Sequence, residues 1–565
     1  MKVTANILLN YIRCRRYASL NDPDLEYQSP EYEVQSHTYF QDYLDIFLAK
    51  YGNTFKNVKK NVKLSYDFHP DVVLYENYHF IGELTNNQKE IYCLIPSTSK
   101  DFLKIRYSED KHKYQLFNKN SKGIYEIKEG KLLATKTNYL EKLDKLKKRT
   151  EDIGRIVYNY AFKQFVYNTI NPGNNTKVYM VLLNGDYVYD GKDYNKSLYH
   201  IFDFSLLFDG YNETIEADVY RMINHIELND FTPCNLVKKE CRKGDSFECK
   251  FTKFCFSHLP KGNSILDYFS AQRGFDETSE TGEIHHDTYD LINEGKVNTL
   301  DIPISWLKDE KHLMQRYCIE TDYTHVHRKK IETMLKTLKY PLIYLDFEAS
   351  PCLLPRYSGE KPFTQSVFQY SVHIEKTEGK LSLNDKYHYE FIANHEYDNR
   401  RELVLNLIRI VNKYDSTVIV YHKTFEEQRL KELQTIFPEY KEDLQNIINR
   451  LFDLKDVLKN NKKFYMERNF TEYEANRYNF YSQKLSGSYS LKKVIKVFNE
   501  SAYYNLEIRD GKQAFNAYMR LNDLEPTERD KTINNLLEYC KQDTYSMFEI
   551  IQGLKKHLSV GFTII

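Results

Sequence analysis

The sequence predicts an α/β protein with two principal domains and a helical connector. Three observations carry this. The chain has 565 residues and 41% hydrophobic content, enough for more than one core. Short β-branched and aromatic runs alternate with amphipathic helical stretches. One run, Pro341–Ser350 (PLIYLDFEAS), ends in two carboxylates, Asp346 and Glu348. On a strand that i, i+2 spacing points both to one face. A cation relieves their repulsion best, and Mg²⁺ or Mn²⁺ prefers oxygen ligands. Acids that simply face solvent at a strand end are the alternative.

Composition narrows the classes. Basic and acidic residues balance at 80 each and the pI is 7.2, so any nucleic-acid surface must be a local patch. The 49 tyrosines could stack on bases, but amphipathic packing accounts for most of such a bias. No apolar run approaches the ~18 residues of a membrane span. Met1–Arg15 lacks the pattern of a signal peptide. The chain is expected to be cytoplasmic and its nine cysteines reduced. Cys234, Cys241, Cys249 and Cys255 cluster, Cys14 stands near the start, and Cys93, Cys318, Cys352 and Cys540 read as packing residues. Such a cluster suggests metal ligation, and spacing alone leaves zinc, an iron–sulfur cluster and coincidence open.

In the N-terminal part, Lys113–Asn120 and Ile124–Lys131 read as strands, Asn138–Ile170 as one long helix, and Thr176–Leu183 as a core strand after the Asn171-Pro-Gly turn. Gly262–Glu283 reads as a loop or flexible edge. Asp287–Lys339 is largely helical in pattern and holds Trp306. No Gly-rich phosphate loop occurs, so nothing points to an ATP-driven motor.

The C-terminal part alternates strand and helix. Pro362–Lys376 and Lys386–Ala393 read as strands and Arg401–Tyr414 as an amphipathic helix. Ser416–Tyr421 is a further strand, and the helix after it carries Glu426 one turn in. Asn449–Asn461 and Ser490–Phe498 read as helices around a Tyr-rich insert. Lys492, Lys493 and Lys496 offer either phosphate contacts or a solvated helix face. Tyr539 and Asp543 lie i, i+4 on one face of a late helix. Acids from a strand and two helices can therefore converge.

At Asp346-Phe-Glu348, Glu426 and Tyr539-x3-Asp543 the chain resembles the DEDD-type 3′–5′ exonucleases of the RNase H-like superfamily. Glu426 stands where their second motif has Asp. The resemblance implies two Mg²⁺ or Mn²⁺ ions about 3.5–4 Å apart, held by Asp346, Glu348, Glu426 and Asp543, with Tyr539 orienting the attacking water. Five ordered segments across 340–554 also resemble a bacterial domain-of-unknown-function family that fuses this fold to a RecB-like nuclease domain. They are YPLIYLDFEAS, PFTQSVFQYS, VYHKTFEEQRLKEL, SGSYSLKKV and LEYCKQDTYSM.

Cys14-Arg-Arg-Tyr resembles the N-terminal motif of RecB-like and CRISPR-associated exonucleases. That likeness implies a 4Fe–4S cluster on Cys14, Cys241, Cys249 and Cys255, with Cys234 a possible substitute for Cys241. It also implies a second nuclease site at Glu129, Lys131 and Gln164. There Gln115 replaces the metal-binding Asp, and a neutral amide is a poor Mg²⁺ ligand. Pro70-Asp71 lies upstream, but the matching Glu83-Leu-Thr85 lacks a Lys. The first site is therefore expected to be impaired.

The resulting expectation has three parts: a RecB-like domain over 1–265, a helical connector over 266–335 and an RNase H-like domain over 336–565. The expected function is metal-dependent 3′–5′ exonucleolytic hydrolysis of single-stranded DNA or RNA. A catalytically decayed nucleic-acid-binding or scaffold protein is the alternative, kept open by Glu426 and Gln115.

Overall fold

A computed structural model describes residues 1–16, 32–86, 88–109, 111–127, 137–173, 176–208, 210–228, 241–243, 247–249 and 251–559. The architecture is mixed α/β and forms two compact units. The first comprises Met1–Leu236 with Cys352–Thr364, the second Val237–Pro351 with Gln365–Ile565. The expected connector, 266–335, packs within the second unit. Among the described residues no helix is long and apolar enough to cross a membrane.

The first unit is built on an eight-stranded mixed sheet. The long hairpin Asn57–His69/Val72–Glu83 opens it, followed by Lys89–Thr98. Lys177–Leu183 lies parallel to Lys89–Thr98, and Tyr199–Asp203 pairs antiparallel with Lys177–Leu183. The run KVYMVLL is apolar because both its faces are covered. Val178, Met180 and Leu182 face a core shared with helix Asp152–Ile170, while Tyr179, Val181 and Leu183 face one shared with Tyr43 and Phe47.

The expected single helix Asn138–Ile170 is two, Thr137–Lys147 and Asp152–Ile170. The chain folds back so tightly that a Cβ at Gly154 would sit 2.0 Å from the Lys148 carbonyl oxygen. The helical periodicity on either side masks this break.

The second unit centres on a five-stranded mixed sheet. Its central strand, Leu342–Pro351, pairs antiparallel with Gln365–Glu375, which pairs antiparallel with His388–Ile392. On its other edge Leu342–Pro351 runs parallel to Val418–Val420, and that strand runs parallel to Leu451–Asp453. Leu451–Asp453, expected within a helix, is therefore a strand; three residues are too few to show a period of two. The expected loop at 262–283 contains part of a hairpin, Phe275–Ser279 with Gly282–His286, whose His286 ring stacks on Trp306 at 3.9 Å. Helices Arg400–Val411 and Lys423–Ile436 cover one sheet face. The 34-residue helix Pro526–Ser559 covers the other.

Candidate metal centre

The central strand supplies the first two acids by simple alternation. Ile343, Leu345 and Phe347 enter one core, and Leu342 and Tyr344 enter the other. Asp346 and Glu348 continue the second series. A register shift between Glu348 and Ala349 interrupts the pairing with the neighbouring strand, which resumes at Ala349 and Val367.

The long C-terminal helix brings the third acid, and a row of polar groups fixes its position. Gln369, Ser371, His373 and Glu375 alternate along the second strand and face this helix. Gln369 donates to the Leu536 carbonyl at 2.8 Å. Ser371 and His373 both meet the Thr544 hydroxyl, at 2.9 and 2.8 Å. Buried polar groups without partners are costly, so this row favours one docking register. In that register Tyr539 and Asp543 face the end of the central strand.

Ligand atoms of Asp346, Glu348 and Asp543 all lie within 4.8 Å of one another. Glu348 is 9% exposed and Asp543 4%. Burial, then the charge of Asp543, pushes the Asp346 carboxyl well above the usual range. Burial, then Asp346 and Asp543, does the same to Glu348. Burial raises Asp543 too, against the opposing pull of Lys492 and the hydroxyls of Tyr503 and Tyr539.

Glu426 approaches from the far side of the sheet. Asp453, at the end of the fifth strand, accepts from the backbone N–H groups of His422 and Lys423 at 3.1 and 3.0 Å. This caps the helix Lys423–Ile436 and holds Glu426 inside its first turn. Glu426 is 2% exposed, and its Oε2 has no hydrogen-bond partner among the described residues. Burial, then the charge of Asp346, raises its carboxyl well above the usual range. The three crowded carboxylates form a hard-oxygen donor set, which fits divalent cations, while Glu426, predicted as a fourth ligand, lies outside the group whose ligand atoms come within 4.8 Å of one another.

Further groups complete the site. Lys492 donates to the Tyr539 hydroxyl at 2.7 Å and also sits 4.6 Å from that ring's centre. Its charge acts on Asp346, Glu348 and Asp543 alike. The Tyr503 hydroxyl donates to Asp543 Oδ1, and the Cys540 thiol to Asp346 Oδ2 at 3.5 Å. Helix Gly511–Met519 starts against Glu348: a Cβ at Gly511 would lie 3.5 Å from its Oε2. Tyr503, Asp453 and Gly511 carry no sequence signal for this role. Cys540, which the sequence places among packing residues, instead donates to one of the site's acids.

Glu129, Lys131 and Cys234 lie outside the described residues. Gln164 donates its amide to the Thr176 carbonyl at 3.0 Å. Gln115 is exposed on the two-stranded hairpin Arg106–Glu109/His112–Gln115, outside the eight-stranded sheet. Asp71 sits in a hairpin turn beside His69 and Glu227, with both acids exposed and His69 half-buried. Cys14 ends the first helix, Ala5–Arg13. Cys241, Cys249 and Cys255 occupy one short segment, where the Cys249 N–H donates to the Cys241 carbonyl at 2.8 Å.

Three relatives are similar to part of the chain, and all are named as uncharacterized. MG366 of Mycoplasma genitalium is 28% identical over 239 residues, covering 39% of this chain and 33% of its own length. The MG366 homolog of Mycoplasma pneumoniae is 25% identical over 284 residues, 47% of this chain and 40% of its own. UU173 of Ureaplasma parvum is 24% identical over 234 residues, 39% and 32% respectively. The chain thus spans well under half of each relative it matches. No solved structure matches. Residues 343–490, which include Asp346, Glu348 and Glu426, match the family described as a Domain of unknown function (DUF2779).

Proposed function

We propose that the second unit is a divalent-metal-dependent nuclease of the DEDD type on an RNase H-like fold, removing nucleotides from a 3′ end of single-stranded DNA or RNA. The observation that carries this reading is the trio Asp346, Glu348 and Asp543, with ligand oxygens inside 4.8 Å at the end of a central strand. With Glu426 they would hold the cations, which supply Lewis acidity and align the attacking and leaving oxygens. Tyr539, held by Lys492 at 2.7 Å, positions its hydroxyl beside the acids to orient a water. Lys492 brings positive charge to a site that must accept a phosphate. The polarity of attack and the choice of a single strand rest on the family resemblance.

The test is degradation of end-labelled DNA and RNA with Mn²⁺ or Mg²⁺, beside Asp543→Asn. Stepwise loss from the 3′ end, abolished by chelation and by the variant, is the expected outcome. Metal-replete wild type that leaves every strand intact would overturn the reading. Lys492→Met should lower the rate by roughly 10²–10³, as removal of a preorganised donor does. An unchanged rate would remove Lys492 from the machinery.

We also propose, on the resemblance alone, that Cys241, Cys249 and Cys255 help ligate a 4Fe–4S cluster. Anaerobically purified protein should show visible charge-transfer absorption that Cys255→Ser loses. A colourless protein containing zinc would refute it.

A further inference from the structure

The first unit contains a second charged feature, remote in sequence from the acids. Helix Thr137–Lys147 places Asn138, Lys142 and Lys145 at i, i+4 and i+7, along one face. Its apolar positions Tyr139 and Leu146 turn into the core. Opposite stands the hairpin Arg106–Glu109/His112–Gln115, tied to the helix by the Ser108 N–H, which donates to Asn138 Oδ1 at 2.7 Å.

Between these elements runs a groove of about 730 Å³, lined by Lys104, Arg106, Lys113, Lys142 and Lys145. Asp101, Glu151 and Asp152 also line it, leaving the cations in excess by five to three. Asp101 is engaged by Lys104 at 3.4 Å. Arg106 donates to the Leu103 and Ile105 carbonyls, which fixes its guanidinium. Among the described residues Lys113, Lys142 and Lys145 have no ion-pair partner.

Uncompensated ammonium groups on one groove repel each other. A chain of regularly spaced negative charges removes that cost and releases counterions. We propose that this groove binds the phosphate backbone of a single nucleic-acid strand. The identity of the polyanion rests on the nuclease reading of the second unit. A phosphodiester backbone suits the site because its charges repeat along a line, and Lys142 and Lys145 on one helix face with Lys113 on the hairpin can follow it.

The experiment uses the full chain in EDTA, so that no strand is degraded. Anisotropy of a labelled oligothymidine is followed across salt concentrations. Lys113→Gln/Lys142→Gln/Lys145→Gln should weaken binding and reduce the slope of log K against log salt by about 2, at roughly 0.7 per phosphate contact. Lys59→Gln/Lys63→Gln, on the exposed strand Asn57–His69, should leave both unchanged. An unaltered affinity and slope in the triple variant would overturn the proposal, as would an equal loss in the control pair. Poly-glutamate competing as well as the strand, charge for charge, would overturn the assignment to nucleic acid. If Mn²⁺ produces no cleavage while the triple variant still loses its slope, the nuclease reading falls and the groove stands. Thermal melts of all variants separate lost binding from lost folding.

Discussion

Asp346→Asn should lower metal-dependent hydrolysis by at least about 10³, as expected when several kcal/mol of metal-derived stabilisation is lost. The substitution keeps size and the acceptor for the Cys540 thiol while removing the charge at the centre of the acidic group. Its consequences for stability are as diagnostic as those for rate. In chelator, wild type carries three crowded carboxylates that desolvation and mutual repulsion disfavour. Removing one charge relieves both, so Asp346→Asn should melt higher than wild type without metal. Adding Mn²⁺ should reverse that order. A cation at a hundredfold excess over Kd adds about 2.7 kcal/mol to the folded state, and the wild-type Tm should climb by several degrees. The variant should climb much less. An equal rise in both would show that the cation binds elsewhere.

Gly487→Ala should be the most damaging of the single-methyl substitutions near the site. Gly487 has φ +69°, and a Cβ there would lie 2.2 Å from the Asp267 carbonyl oxygen. That oxygen cannot easily yield, because it already accepts from Gln315 Nε2 at 2.8 Å. The left-handed backbone costs about 1–3 kcal/mol for a non-glycine residue, and overpacking adds a further 1–3 kcal/mol or so. Gly295→Ala is the natural control: its φ is +91°, with nothing within 4 Å of the added methyl. It should incur the backbone cost alone. Urea melts of the two variants decide the matter, and equal destabilisation would refute the close contact. Because helix Leu491–Phe498 and Lys492 follow directly, Gly487→Ala should also slow any hydrolysis.

Local periodicity made much of the second unit legible. A strand puts residues i and i+2 on one face, so Asp346 and Glu348 had to emerge together. A helix puts i and i+4 together, so Tyr539 and Asp543 had to share a face. The apolar runs at Leu342–Pro351 and Lys177–Leu183 announced strands buried on both sides.

The sequence alone could not show which face meets which. The row Gln369, Ser371, His373 and Glu375 reads as interruptions in a strand until Leu536 and Thr544 are laid across it. Tyr503 reaches Asp543 across thirty-nine intervening positions that include the helix Gly511–Met519. Asp453 caps a helix thirty residues earlier. The strand Leu451–Asp453 and the break before Gly154 are too short for a repeat to reveal them. The physical reason is the same in each case. Periodicity is a property of neighbours in the chain. A metal centre, a cap and a docking register are set by groups far apart in sequence, whose pairing becomes favourable only once burial takes water away.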